Sequence, residues 1–333
     1  MRSSLQAMLA KKPLLLADGA TGTNFMEMGL EPGFPPDLWN VSEPQKPQDL
    51  HQAFVDAGSD IILTNTFGAN APRLKLHKAE NETYAINKAG AEIAGRVAEA
   101  ADRPVIVAGS VGPTGELFEP MGALTMDTCI AFFEEQMRGL KDGGADVAWI
   151  ETMSAAEEIQ AAAQAAINIG ISYVFTASFD TAGKTMMGIA PSAIGGVTSP
   201  LSEQPLAYGS NCGVGASDMM LSVLSMTEAA PNAVIVGKAN CGIPVVKGKE
   251  TVYTGTPELM ADYVDLAANA GARIIGGCCG TAPKHIAAMR EAIDNYNASA
   301  RPSMELVIET LGELVSPPAK AGAVGRRSNR RRS

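Results

Sequence analysis

The chain has 333 residues, 46% of them hydrophobic, and its 36 acidic and 26 basic side chains give a net charge of −10. Six of the basic residues (Lys320, Arg326, Arg327, Arg330, Arg331 and Arg332) fall in the last 18 positions with no acid among them, so residues 1 to 315 carry 20 basic against 36 acidic groups. A body this acidic excludes non-specific nucleic-acid binding, and no apolar run approaches the roughly 18 residues of a membrane span, so the expected location is the cytoplasm.

Short β-prone segments recur along the chain: Leu14 to Asp18, Ile61 to Phe67, Val105 to Ser110, Val147 to Thr152, Tyr173 to Phe179, Leu206 to Cys212, Ala233 to Ala239 and Arg273 to Cys278. Most of them are separated by helical spacing, as in Ile86, Gly90, Ile93 and Val97 or Leu259, Tyr263, Leu266 and Ala270. The Ala-rich stretch Ser154 to Ile169, with Glu157 three residues after its serine, predicts a capped helix, and Pro257 and Pro283 sit where helices begin. Residues 181 to 202, rich in Gly, Pro and Ser, predict only a poor helix. Strand alternating with helix implies parallel pairing, and eight such units predict a single-domain (β/α)8 barrel over residues 13 to 298. An N-terminal lead-in (1 to 12) and a C-terminal extension with a disordered basic tail (299 to 333) complete the expected organisation. A doubly wound open sheet is the architectural alternative.

In such a barrel the functional groups belong at the carboxyl ends of the strands. The last strand runs into Gly276-Gly277-Cys278-Cys279-Gly280-Thr281, and adjacent cysteines rarely bridge to each other. A borderline-soft ion such as Zn2+ can collect both thiolates if the backbone turns there, which the flanking glycines would permit. Cys212, which ends another apolar run before a glycine, is the natural third ligand, and three sulfurs leave an open position. Cys129, in a helix-like run, and Cys241 read as packed thiols. With five cysteines in all, thiols used for metals or catalysis point to a reducing compartment.

Other strand ends add to the site. Asp18-Gly19-Ala20-Thr21-Gly22-Thr23 is a tight turn whose amides suit a carboxylate. Glu151, directly after Val147-Ala148-Trp149-Ile150, is costly to bury without a cation, and a substrate ammonium would serve. Turn amides, a buried carboxylate and a thiophilic metal together describe a site for a small amino acid bearing a thiol. His51, His77 and His285 lie away from the strand ends and read as surface or packing residues.

The ordered set Asp18 to Thr23, Asn65-Thr66-Phe67-Gly68, Gly112-Pro113-Thr114-Gly115, Glu151-Thr152, Asn211-Cys212 and Gly276 to Thr281 resembles the homocysteine S-methyltransferase family over about residues 13 to 295. The resemblance implies a zinc-dependent barrel that makes methionine, with Cys212, Cys278 and Cys279 as catalytic zinc ligands that activate the thiol of L-homocysteine. It also implies Glu151 on the substrate amine and the first glycine turn (Asp18, Gly19, Thr21, Gly22, Thr23), with Asn65, around the amino-acid end. Asn240 resembles an asparagine that can take the metal's fourth position when substrate is absent. Members that use betaine enclose its quaternary nitrogen in aromatic rings. Here Trp39 lies in the right region, but Gly68 and Thr152 stand where those members place tyrosines. Small rim residues are similar to the homocysteine module of cobalamin-dependent methionine synthase, so methylcobalamin carried by a separate corrinoid protein is the expected methyl donor, ahead of betaine and S-methylmethionine. A non-catalytic, zinc-stapled binding subunit is the alternative of another class.

Overall fold

A computed structural model describes residues 3–247 and 250–318, so the basic residues of the tail lie outside the described residues. Its strands, in chain order, are β1 (Leu15–Leu16), β2 (Ile61–Leu63), β3 (Ile106–Val111), β4 (Val147–Met153), β5 (Tyr173–Ala177), β6 (Ala207–Cys212), β7 (Ile235–Ala239), β8 (Pro244–Lys247), β9 (Glu250–Tyr253) and β10 (Ala272–Gly277). Eight of them form one parallel sheet in the order β1-β10-β7-β6-β5-β4-β3-β2, and β8 and β9 make a separate antiparallel hairpin. The parallel bridge Ala17↔Ile61 brings the two edges together. This is the expected single-domain (β/α)8 barrel, with helices such as Thr83–Ala100, Met126–Asp142, Ala156–Ile169 and Pro257–Ala270 packed outside.

The barrel follows from alternation. Leu15, Ala17, Ile61, Leu63, Ile106, Ala108, Val147, Trp149, Val174, Ala207, Val236 and Ile274 share one buried cluster, the barrel interior. Their neighbours Leu16, Ile62, Val107, Ala148, Ile150, Phe175 and Ile275 belong to the two clusters that pack against the helices. The lead-in forms the helix Leu5–Lys11, capped by Ser4, and its Leu5 and Met8 join the interior cluster.

Two elements differ from the sequence reading. The Ala-rich helix starts at Ala156 after an Ala155 N-cap with no side-chain bond, so the capping box does not form. The hairpin β8–β9 was not legible, because it falls in a stretch the pattern left as a connection to the helix Pro257–Ala270. Residues 181 to 202 contain only the short 3-10 helix Pro191–Gly196, as their composition suggested.

The seam between β1 and β2 is short, and two buried carboxylates complete it. Backbone bonds run from Asp60 N to the Leu16 carbonyl (2.7 Å) and from Asp18 N to the Ile61 carbonyl (3.0 Å). Leu16 N donates to Asp60 Oδ2 (3.0 Å) and Leu63 N donates to Asp18 Oδ2 (2.7 Å), so side-chain oxygens stand where strand carbonyls would otherwise be. Asp60 is 1% exposed and also receives Lys12 Nζ at 2.6 Å and Arg290 at 3.2 Å. Replacing it strands the buried Leu16 N–H and leaves the partly buried Arg290 guanidinium without this partner. Asp60→Ala is expected to lower stability by about 3 kcal/mol, read as a fall in urea midpoint at unchanged slope.

Candidate active site

The alternation that buries apolar side chains low in the barrel continues upward into polar ones. Counting on by twos from the interior residues reaches Ser110 on β3, Glu151 on β4, Thr176 on β5, Asn211 on β6, Lys238 on β7 and Cys278 just after β10. All lie toward the carboxyl ends of the strands, where barrel enzymes carry their chemistry.

The three cysteines meet here. Cys212 and Gly277 both register with Ala239 of β7, which places Cys278 and Cys279 beside the end of β6. The sulfurs of Cys212, Cys278 and Cys279 all lie within 4.8 Å of one another, and Cys212 Sγ is 3.9 Å from Cys279 Sγ. Tetrahedral zinc with Zn–S bonds of about 2.3 Å requires sulfurs roughly 3.8 Å apart, so the donor set fits that ion in both chemistry and spacing. Cys212 holds a left-handed backbone at φ 63°, a conformation that non-glycine residues rarely adopt and that here aims its sulfur toward the vicinal pair.

The glycines before the vicinal pair act otherwise than expected. Gly276 and Gly277 belong to β10 and make room: a Cβ on Gly276 would lie 2.9 Å from Ala17 Cβ and 3.1 Å from Lys238 Cγ. The turn itself is made by Gly280, at φ 79°, with the ring of Tyr253 packed against it.

Two asparagines hold the cluster. Asn240 Nδ2 donates to the Gly213 carbonyl (2.7 Å) and its Oδ1 accepts from Cys279 N (3.1 Å), tying the two cysteine loops together. The oxygen that would serve as a fourth ligand is thus engaged by a backbone amide. Asn211 Oδ1 accepts from Thr152 N and Thr176 Oγ1, while Nδ2 donates to Thr152 Oγ1 and, at 3.8 Å, to Cys278 Sγ. Cys279 accepts from the Cys212 and Cys278 thiols, which holds its pKa down to about 3, while the bonds of Cys212 to Cys278 and Cys279 drive Cys212 up. Tyr253 is close enough to Cys279 to interact with it electrostatically.

Glu151 is 8% exposed and accepts from Ser110 Oγ at 2.5 Å. Burial pushes its pKa up to about 7, against the pull of Lys238. Asp18, read from the sequence as the head of a carboxylate-binding turn, points into the barrel: Oδ1 is 2.9 Å from Lys238 Nζ and Oδ2 accepts Leu63 N. The turn after it docks on the vicinal-cysteine loop. Ala20 N donates to the Thr281 carbonyl, Gly280 N donates to Thr23 Oγ1, and a side chain on Gly19 would strike Thr281. Thr21 caps the short helix Gly22–Glu27 without a side-chain bond, and beside Gly22 there is open space. Asn65 Nδ2 donates to the Pro36 carbonyl (2.7 Å) and to Asn40 Oδ1 (3.1 Å), pinning the loop after β1.

The remaining readings fall into place around this centre. Cys129 and Cys241 are buried in the outer core, and His51 is buried, with burial pulling its pKa down to about 4. His285 accepts from Ala282 N at the start of its helix. The sequence reading missed Lys238, Asn211 and Tyr253 as site residues. Lys238 carried a signal, a lysine inside the apolar run Ala233 to Ala239, which demands a buried partner. Asn211 showed only its place at a strand end, and Tyr253 showed none.

Fold and site together define a (β/α)8 barrel enzyme whose chemistry centres on three clustered thiols at the carboxyl ends of its strands. The chain belongs to the homocysteine S-methyltransferase family, whose family model matches residues 15–293, and it is accordingly a methyltransferase. Its fold is similar to that of the homocysteine methyltransferase MmuM from Escherichia coli. The metallated form matches with a TM-score of 0.72 at 24% identity, covering 86% of this chain and 99% of that one. The oxidized form matches at 0.73 and 24% identity, covering 87% and 99%.

The elevated pKa of Glu151 has a stability consequence. Folded protein keeps the Glu151 proton between pH 4.5 and about 7 while unfolded chain releases it, so stability falls as pH rises through that window. Glu151→Gln removes the loss. In the metal-free protein its stability relative to wild type should rise between pH 5 and pH 8, by up to about 3 kcal/mol in urea unfolding. A difference that stays flat would show that Glu151 does not titrate there.

Proposed function

We propose that the protein is a zinc-dependent homocysteine S-methyltransferase that forms methionine, taking its methyl group from a methyl-corrinoid carried on a separate protein. The observation that carries this reading is the convergence of Cys212, Cys278 and Cys279 within 4.8 Å of one another beside the buried carboxylate Glu151. Those three residues would hold zinc, and when bound it lowers the pKa of a thiol brought to its remaining position. A free thiol near pKa ~8.5 would otherwise be mostly protonated at neutral pH.

The chain's own groups then set the geometry. Glu151, fixed by Ser110, takes the homocysteine ammonium, which favours the ionised carboxylate. The turn from Asp18 to Thr23, docked on the cysteine loop, lies where backbone amides can meet the substrate carboxylate. Asn211 and Asn240 keep the cysteine loops in register so that the substrate sulfur faces the rim. The thiol proton passes to solvent water, the sulfur lone pair forms the new C–S bond to the methyl group, and the donor keeps the electron pair of the bond that breaks. The product thioether is a poor ligand and departs.

The donor reading draws on what the rim lacks. Trp39 is 3% exposed, packed 4.9 Å from the Phe25 ring with Lys46 Nζ 4.0 Å over its face. Gly68 gives its N–H to Asp37 Oδ1, and Thr152 is held by Asn211. None of the three positions supplies an exposed aromatic wall for the quaternary nitrogen of betaine, which favours a methyl-corrinoid over betaine. Five free thiols suit a reducing, cytoplasmic setting, and among the described residues no helix is long and apolar enough to cross a membrane.

The test is a donor panel assayed for methionine: methylcobalamin, a methylated corrinoid protein, betaine and S-methylmethionine, each with zinc-loaded protein. The corrinoid donors should give the fastest turnover, and Cys279→Ala should lose both bound metal and turnover, by about 100-fold or more. Betaine turnover matching the corrinoid rate would overturn the donor assignment. Zinc held unchanged in Cys279→Ala would overturn the site.

A further inference from the structure

The segment after the helix Met304–Leu311 returns to the loops at the carboxyl ends of the strands. That helix is anchored by Val307 and Leu311 in the outer core, and Arg301 before it donates to the Ala270 and Leu224 carbonyls. Gly312, at φ 94°, turns the chain out of the helix. Residues 312 to 318 then run along the loops after β6 and β5. Ser217 Oγ donates to the Gly312 carbonyl (2.6 Å), and Asp218 accepts Val315 N at 3.0 Å and Ser316 N at 2.8 Å, one on each oxygen. Ser316 Oγ donates to the Asp180 carbonyl and accepts from Ala182 N, both at 2.9 Å. A Cβ on Gly183 would lie 3.3 Å from Pro318 Cγ, so the segment also packs on the turn that follows Ala182.

Both loops carry strain. Cys212 at φ 63° and Ala182 at φ 50° are two of the four non-glycine residues with a positive φ among the described residues. Such a residue keeps its conformation only where the chain is held on both sides of it. Before Cys212, the pairing of β6 with β7 and the bonds of Asn211 do this. After it, Asn240 holds the Gly213 carbonyl, but Val214, Gly215 and Ala216 have no side chain that can hydrogen-bond. The next two that can are Ser217 and Asp218, in the first turn of the helix Ala216–Ala229, and both spend their bonds on residues 312 to 316. Cys212 and Asp218 line the same small cavity, with Phe179, Ser210 and Met219, which gives the thiol loop room to move once its ties are cut.

We propose that residues 312 to 318 form a strap that positions Cys212 for the metal, with Asp218 and Ser316 as positioning residues that hold the loop after β6 in the strained conformation the thiol cluster requires. The inference rests on the zinc reading and deepens it, since it says what keeps the first of the three ligands, far in sequence from the vicinal pair, aimed at the other two. Neither Asp218 nor Ser316 touches the metal position; each acts through the backbone that carries Cys212.

The experiment follows zinc release from the loaded 333-residue chain into excess chelator, in wild type, Asp218→Ala, Ser316→Pro and the double variant. Ser316→Pro removes both the N–H given to Asp218 and the hydroxyl shared by Asp180 and Ala182. Each single variant should release zinc about 10-fold faster, the scale of hydrogen bonds to a charged group. The double variant should exceed the faster single one by no more than about 2-fold, because both changes cut the same strap. Ser303→Ala is the reference for a merely structural role: it removes the cap of the helix Met304–Leu311 and touches neither loop. It should lower the urea midpoint and leave zinc release unchanged. Unchanged release in the strap variants, accelerations that multiply in the double variant, or an equal acceleration in Ser303→Ala would overturn the proposal. If Asp218→Ala does not fold, Ser316→Pro decides alone: faster release than Ser303→Ala supports the strap and equal release overturns it. A wild type that binds no zinc would overturn the zinc reading instead. The strap is then judged by hydrogen exchange of the metal-free chain, where the amides of Gly213 to Met219 should exchange about 10-fold faster in Ser316→Pro than in wild type, and unchanged exchange would overturn it too.

Discussion

The site depends on one piece of register. Cys212 and Cys279 are 67 positions apart, and their sulfurs approach to 3.9 Å because β6 and β10 both pair with β7, with Cys212 and Gly277 opposite the same residue, Ala239. Shifting either strand by one residue would turn its side chains to the other face and separate the thiols. The local structure supports this placement from both sides. Cys212 accepts a left-handed backbone, a strain on the order of 1–3 kcal/mol, and Asn211 and Asn240 fasten the loops that carry the cysteines.

Buried charge is the second constraint, and fold and function share it. Asp18 closes the β1–β2 seam through Leu63 N and pairs with Lys238, so a residue that completes the barrel also sets the electrostatics beneath the thiols. Asp60 does the corresponding work lower down with Leu16 N, Lys12 and Arg290. Glu151 has no such anchor beyond Ser110, and burial raises its pKa. A carboxylate left poorly compensated in a concave site is costly to the fold and useful to a cationic ligand, which is the usual relation between stability and activity at such positions.

Much of this was legible because the barrel obeys two periodicities. Short β-prone runs with helical spacing between most of them gave the eight units, and each predicted strand overlaps an observed one. The thiols were legible because adjacent cysteines at a strand end have few other uses. Less legible was what tertiary contact decides. Gly276 and Gly277 read as turn residues but serve close approach, since a glycine's reason for being there is not visible until its neighbours are. Nor did the sequence show the protein partners of Asp18 and Asn65, which are Lys238 and Leu63 N for the first and Pro36 and Asn40 for the second. Lys238 could have been found by the rule that singled out Glu151, because both interrupt apolar strands at interior positions. Tyr253 could not, since it reaches Cys279 only through a hairpin that the pattern did not reveal.

The central claim is that three protein sulfurs hold a metal and leave one position to the substrate. Zinc-edge X-ray absorption of the loaded protein, recorded with and without L-homocysteine, addresses it directly. The account predicts three sulfur neighbours and one lighter atom in the free protein, becoming four sulfurs when homocysteine binds. A first shell that stays the same on adding homocysteine, or that already contains four protein ligands with no exchangeable position, would contradict it.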